Sequence, residues 1–247
     1  MKALITGATS GIGKEMAKYL DELGYDLIIV SKDKEKLTKV KKEFNRKVKA
    51  ISLDLSVEDN CYKLYNEVKE ENIDILINNA GFGDFGEFSK TSLDKELNMI
   101  NLNIKAYHIL TKLFLNYFKK KDYGRILNVA SMAGFMPGVY MATYYATKAY
   151  VVNLSLAISE ELKLAKSNVK ISVFCPGPVA TNFNNIADVK FNIKSISSNY
   201  AARYAIDNMF RDKLTIVPPN MKLSKMMIKI MPEKLILIAN SKMQQRK

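Results

Sequence analysis

The 247-residue sequence contains no tryptophan, one histidine (His108), two cysteines and six prolines. One histidine excludes a His-rich metal centre, and no Cys-x-x-Cys pair replaces it. Cys61 and Cys175 are too few for a disulfide framework, and their apolar neighbours predict that both are buried. No stretch approaches the ~18 uncharged apolar residues that a membrane-crossing helix needs. The opening "MKALITG" reads as a strand entering a glycine turn. It lacks the apolar region and cleavage site of an export signal, so a cytoplasmic protein is expected. Internal repeats, low-complexity tracts and Pro/Gly/Ser-rich linkers are missing too.

What is present is a composition able to build a core, 48% hydrophobic and 26% charged. The net charge of +13 is concentrated in two places. Residues 32–49 hold nine basic and three acidic side chains, and residues 221–247 hold seven basic side chains against Glu233, so each segment carries +6. Nucleic-acid binding uses such patches. A solvated lysine-rich face needs no partner, however, and no nucleic acid is expected.

Short Val/Ile/Leu-rich runs at 2–6, 26–31, 48–54, 73–79, 125–131, 170–175 and 214–218 predict strands. Between them lie stretches of helical spacing, such as Leu37, Val40 and Phe44, or Cys61, Leu64 and Val68 with Ser56 as the expected N-cap. Continuous apolar strands alternating with helices predict an α/β fold, a doubly wound parallel sheet covered on both faces. The sheet domain is expected over residues 1–219, followed by a helical extension over 220–247.

"LITGATSGIGKEMAKYL" is a strand, a glycine-rich turn and a helix start. Gly7, Gly11 and Gly13 give a G-x-x-x-G-x-G spacing. One glycine allows the tight turn, one lets backbone approach a pyrophosphate, and one lets helix and strand pack closely. The helix start then offers free N–H groups and its positive dipole end to an anion.

With "TGATSGIG" (6–13), "NNAG" (78–81), Asn101 in "INLN", Ser131, Tyr144 with Lys148, and "CPGPVAT" (175–181), the chain resembles the short-chain dehydrogenases/reductases over roughly residues 2–218. The order matches, and so does the thirteen-residue step from Ser131 to Tyr144. The resemblance implies a seven-stranded Rossmann-type sheet, a nicotinamide dinucleotide, and hydride transfer to or from a carbonyl carbon. It implies that Ser10 and Ile12 lie at the pyrophosphate, with Asp54 and Leu55 at the adenine. It sets Asn79, Ala80 and Gly81 along the cofactor, and Pro176, Gly177, Val179 and Thr181 at the nicotinamide. Asn101 would join a proton relay through Lys148, which would also hold the nicotinamide ribose.

The chemistry can be derived independently. Carbonyl reduction places a hydride on carbon and a proton on oxygen. A phenol titrates near pH 10, and a lysine one helical turn away favours phenolate and lowers that value. Tyr144 and Lys148 are i and i+4 on one helix face. Ser131 ends the strand "RILNVAS" at the carboxyl edge, where ligands bind in open α/β sheets, and its hydroxyl can stabilise a developing oxyanion. Tyr145, also within a turn of Lys148, is the rival, expected to pack or to face a subunit contact.

At the end of the second strand, an acidic residue would bind ribose hydroxyls and repel a 2′-phosphate. Ser31 and Lys32 stand there, and Lys32 falls where NADP-preferring relatives usually carry arginine. NADP(H) is therefore expected over NAD(H), with Asp33 the complication, since it can turn inward. The apolar loop "MAGFMPGVYM" after Ser131 suggests a Met- and Phe-lined pocket for a hydrophobic carbonyl or alcohol, and 183–198 would close over it.

The lysine-rich segment 220–247, divided by Pro232, can lie on an anionic membrane surface, pack beside the substrate mouth, or build a subunit interface. A homodimer or homotetramer is implied by the resemblance alone. The rival to an enzyme is a dinucleotide-binding regulatory protein with weak catalysis, against which the intact Ser131, Tyr144, Lys148 and Asn101 set argues.

Overall fold

A computed structural model describes residues 1–181, 183 and 195–244. Seven strands form one sheet: β1 (Lys2–Thr6), β2 (Asp26–Ser31), β3 (Val48–Ser52), β4 (Ile75–Asn78), β5 (Arg125–Val129), β6 (Lys170–Phe174) and β9 (Thr215–Ile216). Their order is β3-β2-β1-β4-β5-β6-β9 and every pairing is parallel. β7 (Val179–Ala180) and β8 (Ile196–Ser197) make a separate two-stranded parallel pair. The seven expected strands are all present. The residues expected beyond their ends, such as Leu53, Asp54 and Asn79, leave the sheet and form loops at its carboxyl edge.

The helices are α1 (Gly11–Glu22), α2 (Lys34–Lys41), α3 (Glu58–Val68), α4 (Leu93–Ile100), α5 (Tyr107–Lys121), α6 (Ala142–Leu164), α7 (Ser198–Phe210), α8 (Pro219–Ile230) and α9 (Glu233–Gln244). Alternation along the strands assigns each side chain to one of two layers. Ala3, Ile5, Ile29, Ile77 and Leu127 face α1 and α7, meeting Met16, Leu20, Ile206 and Met209. Leu4, Ile28, Leu76, Ile126 and Ile171 face the other way, onto Leu64 of α3 and Leu110, Phe114 and Phe118 of α5. Each fully buried large apolar side chain contributes about 1.5–3 kcal/mol, so both layers are needed to hold the sheet. Both cysteines are buried, and burial pushes each thiol up to about 12.

Ser56 does not cap α3. Its hydroxyl donates to Asp54 Oδ1 at 2.7 Å, the cap position falls to Val57, and Asn60 Nδ2 reaches back to the Asp54 carbonyl. Asp54 Oδ1 accepts from both the hydroxyl and the backbone N–H of Ser56, holding it in a turn one residue before the cap position. Pro232 does divide the C-terminal segment, into α8 and α9. Among the described residues no helix is long and apolar enough to cross a membrane, and no His/Cys/Asp/Glu cluster fits a metal ion.

Candidate active site

β1 pairs with β2 on one side and β4 on the other, so the connections leave β1 in opposite directions and open a crevice at the carboxyl edge. A cleft of about 940 Å³ runs there, from Ser31 and Lys32 past the glycine turn to Ser131, Tyr144 and Lys148.

The glycine turn is fixed from both sides. Gly7 has φ +66°, and a Cβ there would sit 2.8 Å from Ala80 Cα. Asn79, just beyond β4, pins the turn: its Nδ2 donates to the carbonyls of Thr6 and Gly7 at 3.0 and 3.1 Å. The backbone N–H groups of Asn79 and Ala80 both donate to Thr6 Oγ1. Gly7, Ser10, Gly11 and Ile12 then face the cleft, as do Asn79, Ala80 and Gly81 across it. Gly13 does not. A Cβ at Gly13 would lie 2.3 Å from Asn79 Nδ2 and 2.5 Å from the Gly7 carbonyl, so this glycine serves helix–strand packing rather than ligand contact.

Asp54 and Leu55 line the same end of the cleft as Lys32. Lys32 is exposed, while Asp33 is committed to α2: its carboxylate accepts from Lys36 N at 2.9 Å and pairs with Lys36 Nζ at 3.0 Å. The hydrogen bond from the Lys36 backbone holds this carboxyl below its usual range. Asp33 is thus a helix cap, and the complication it posed for cofactor choice is reduced. Pro176, Gly177, Val179 and Thr181 also border the cleft, Thr181 lying against the glycine turn, where a Cβ on Gly11 would be 3.1 Å from its Cγ2. The elongated shape, the glycines a side chain would obstruct, and the cation at one end fit a dinucleotide. In this cleft the turn would take the pyrophosphate, Lys32 a ribose phosphate, and Lys148 the second ribose.

At the catalytic end, Ser131 closes β5's loop and starts a short 3₁₀ turn (Met132–Phe135), accepting from Ala133 N at 3.1 Å. Tyr144 and Lys148 lie one turn apart on α6, both buried, with Lys148 Nζ 5.8 Å from the Tyr144 ring centroid. Lys148 Nζ donates to the Val129 carbonyl at 3.0 Å, and burial lowers its pKa to about 8. Burial raises the Tyr144 pKa above the ordinary phenol value, the nearby Ser131 hydroxyl lowers it, and Tyr145 raises it. The lowering expected from Lys148 is not found; desolvation dominates, and Tyr144 holds its proton at neutral pH.

The asparagine is the clearest correction. Asn101 begins a π-helical turn (Asn101–Ala106), is only partly buried, and does not border the cleft. Asn103 is fully buried. Its Oδ1 accepts from Phe82 N at 3.2 Å, and its Nδ2 donates to the Phe82 carbonyl at 2.9 Å and to Thr147 Oγ1 at 3.1 Å. A Cβ on Gly81 would lie 2.8 Å from Asn103 Oδ1 and 3.5 Å from Lys148 Nζ, so Asn103 and Lys148 flank one spot. The signal was present: Asn103 continues the inward stripe of Ala106, Tyr107 and Leu110, whereas Asn101 is off it.

Met132, Met136 and Met141 of the loop after Ser131 border the cleft, joined by Phe183, whose ring centroid is 5.3 Å from that of Tyr144. Phe135 instead turns out beneath Lys225 of α8. Of the segment expected to close over substrate, 184–194 lie outside the described residues. The C-terminal helices complete the wall, with Met221, Ser224 and Ile228 of α8 bordering the cleft. On α9, Asn240 Oδ1 accepts from Val139 N at 2.7 Å, while Gln244 Nε2 donates to the Tyr145 hydroxyl at 3.2 Å. Tyr145 also borders the cleft, but its hydroxyl is taken up by α9, and the C-terminal segment does pack beside the cleft mouth. No sequence motif marked Asn240 or Gln244.

A family model described as short chain dehydrogenase matches residues 1–189. A very-long-chain 3-oxoacyl-CoA reductase of Neurospora crassa is 35% identical over 170 residues, 65% of this chain and 51% of that protein. A short-chain dehydrogenase from Sphingobium yanoikuyae, solved with NADPH, superposes with a TM-score of 0.82 at 27% identity, covering 100% of this chain and 97% of that one. The bulky-bulky ketone specific alcohol dehydrogenase of Comamonas testosteroni superposes at 0.80 with 26% identity over 100% and 96%. With its sheet order, glycine turn and Ser–Tyr–Lys end of the cleft, the chain belongs to the short-chain dehydrogenase family and is a nicotinamide-dependent oxidoreductase.

Proposed function

We propose that the protein reduces hydrophobic ketones with NADP(H) as preferred cofactor, and runs in reverse as an alcohol dehydrogenase. The observation that carries this reading is the convergence of Ser131, Tyr144 and Lys148 on one end of a cleft whose adjoining wall is Met132, Met136, Met141 and Phe183. The nicotinamide supplies the hydride when bound. Tyr144, raised by burial, carries the proton that a carbonyl oxygen must receive. Ser131 donates a hydrogen bond to the same oxygen and stabilises its developing charge. Lys148, mostly an ammonium below about pH 8, favours the phenolate left behind and passes a proton back to it. Asn103 takes the place expected of Asn101, holding the Phe82 loop and standing beside Lys148.

Lys32, free of any carboxylate partner among the described residues, supports the NADP(H) preference, since Asp33 is occupied as a helix cap. The NADPH complex, the ketone specificity and the oxoacyl substrate named for the similar proteins point the same way. The test is NADPH oxidation against ketones of graded size and polarity. Tyr144→Phe is expected to lower kcat/KM by at least about 10³-fold with NADPH affinity retained, whereas Tyr145→Phe keeps most of the activity. Loss in Tyr145→Phe instead, or equal kcat/KM with NADH and NADPH, overturns the assignment concerned.

A further inference from the structure

α8 has two faces with opposite duties. Met221, Ser224 and Ile228 point into the cleft. Leu223, Met226, Met227 and Ile230 follow i, i+3, i+4, i+7 spacing on the outside, with exposures of 64%, 58%, 45% and 77%. An amphipathic helix of a water-soluble domain normally turns such a stripe inward. Here the inward side of the helix is already used, and the apolar stripe faces out. On α9, Ile236, Asn240 and Gln244 are buried while Leu235 and Ile238 are about half exposed. Exposed apolar side chains therefore stand on both sides of the Pro232 break.

The charges around it are of one sign. Lys222, Lys229, Lys234 and Lys242 are exposed, and no lysine of α8 or α9 pairs with a carboxylate among the described residues. Residues 221–247 carry +6 in total. A second copy of the chain docked here by two-fold symmetry would set one +6 segment against another. An apolar stripe bordered by unpaired lysines instead matches a surface that is apolar beneath and anionic above, which is a bilayer with acidic headgroups.

We propose that the outer face of α8 and α9 docks on an anionic lipid surface and holds the mouth of the cleft against it. Lysine side chains reach the headgroups, while the Leu, Met and Ile side chains enter the acyl boundary. Because one helix carries the docking stripe and the cleft wall on opposite faces, an apolar carbonyl compound dissolved in the bilayer enters with little exposure to water. This last point rests on the ketone-reductase reading; the docking does not.

The experiment is co-sedimentation of the full chain with phosphatidylglycerol–phosphatidylcholine vesicles and with phosphatidylcholine alone. Binding is expected to the anionic vesicles, weakening steeply with salt, and not to the neutral ones. Leu223→Ser, Met226→Ser and Ile230→Ser combined remove exposed side chains only, and are expected to weaken binding at least about tenfold. Lys222→Glu with Lys229→Glu is expected to weaken it similarly, with turnover of a water-soluble ketone unchanged in both variants. No binding to anionic vesicles at low salt overturns the proposal, as does binding that the serine variant leaves intact. So does sedimentation velocity showing a dimer that the serine variant dissociates. Turnover of a soluble ketone without vesicle binding defeats the docking alone, and vesicle binding without turnover of any ketone defeats the catalytic reading alone.

Discussion

Two regions border the same cleft and are built on different terms. The first strand, turn and helix are governed by backbone: Gly7 at φ +66° and Gly13 wedged under Asn79 are positions where any side chain collides with main chain or with a pinned amide. The C-terminal wall is governed by side chains from distant sequence, with α9 holding Val139 and Tyr145 across about a hundred residues. The first has a local spacing that can be read directly. The second consists of an ordinary Asn and an ordinary Gln whose partners appear only in three dimensions.

The contrast predicts a graded set of outcomes. Gly13→Ala has the largest effect, because backbone at 2.5 Å cannot move aside: nucleotide affinity should be abolished and stability should fall by about 3 kcal/mol or more, read by NADPH fluorescence titration and thermal melting. Tolerance of alanine there would mean the turn is softer than its packing indicates. Next, Asn103→Ala should lower kcat about a hundredfold, because it frees the Phe82 loop and empties the spot beside Lys148. Asn101→Ala should stay within about twofold. The reverse ranking restores Asn101 to the site.

Lys148 allows a test of sign. Its pKa is lowered from 10.5 to about 8, so the unfolded chain binds more protons than the native one between those values, and native stability rises with pH across that window. Below pH 8 the buried charge costs roughly 3 kcal/mol at most. Lys148→Met should therefore lose turnover yet melt several degrees higher at pH 7, an advantage that fades toward pH 10.5. A variant less stable at pH 7 would show that the Val129 hydrogen bond outweighs desolvation. The smallest effect belongs to the C-terminal wall. Asn240→Ala should raise KM for bulky ketones about threefold to tenfold with kcat and nucleotide affinity nearly unchanged, measured by steady-state kinetics across substrate size.

Much of the molecule was legible beforehand for physical reasons. Strands buried on both faces read as unbroken apolar runs, and all seven were expected. Helical spacing left both Tyr144 and Tyr145 within reach of Lys148, and the thirteen-residue step from Ser131 together with the four-residue step to Lys148 singled out Tyr144. Asn101 was chosen over Asn103 because the two asparagines stand two residues apart in one short motif, although only Asn103 lies on the inward stripe of Ala106, Tyr107 and Leu110. Ser56 was misassigned because Asp54 Oδ1 accepts from both its hydroxyl and its backbone N–H and holds it in a turn before the helix.

The two buried thiols carry a practical consequence. Cys61 and Cys175 are out of solvent and pushed up to about 12, so neither presents a thiolate at neutral pH. They are also the whole cysteine content of the chain. Both thiols are thus shielded from maleimides in the folded protein, and one cysteine introduced on the outer stripe of α8 would be the preferred site of labelling. A fluorophore placed there would report its surroundings directly, on a protein otherwise unaltered.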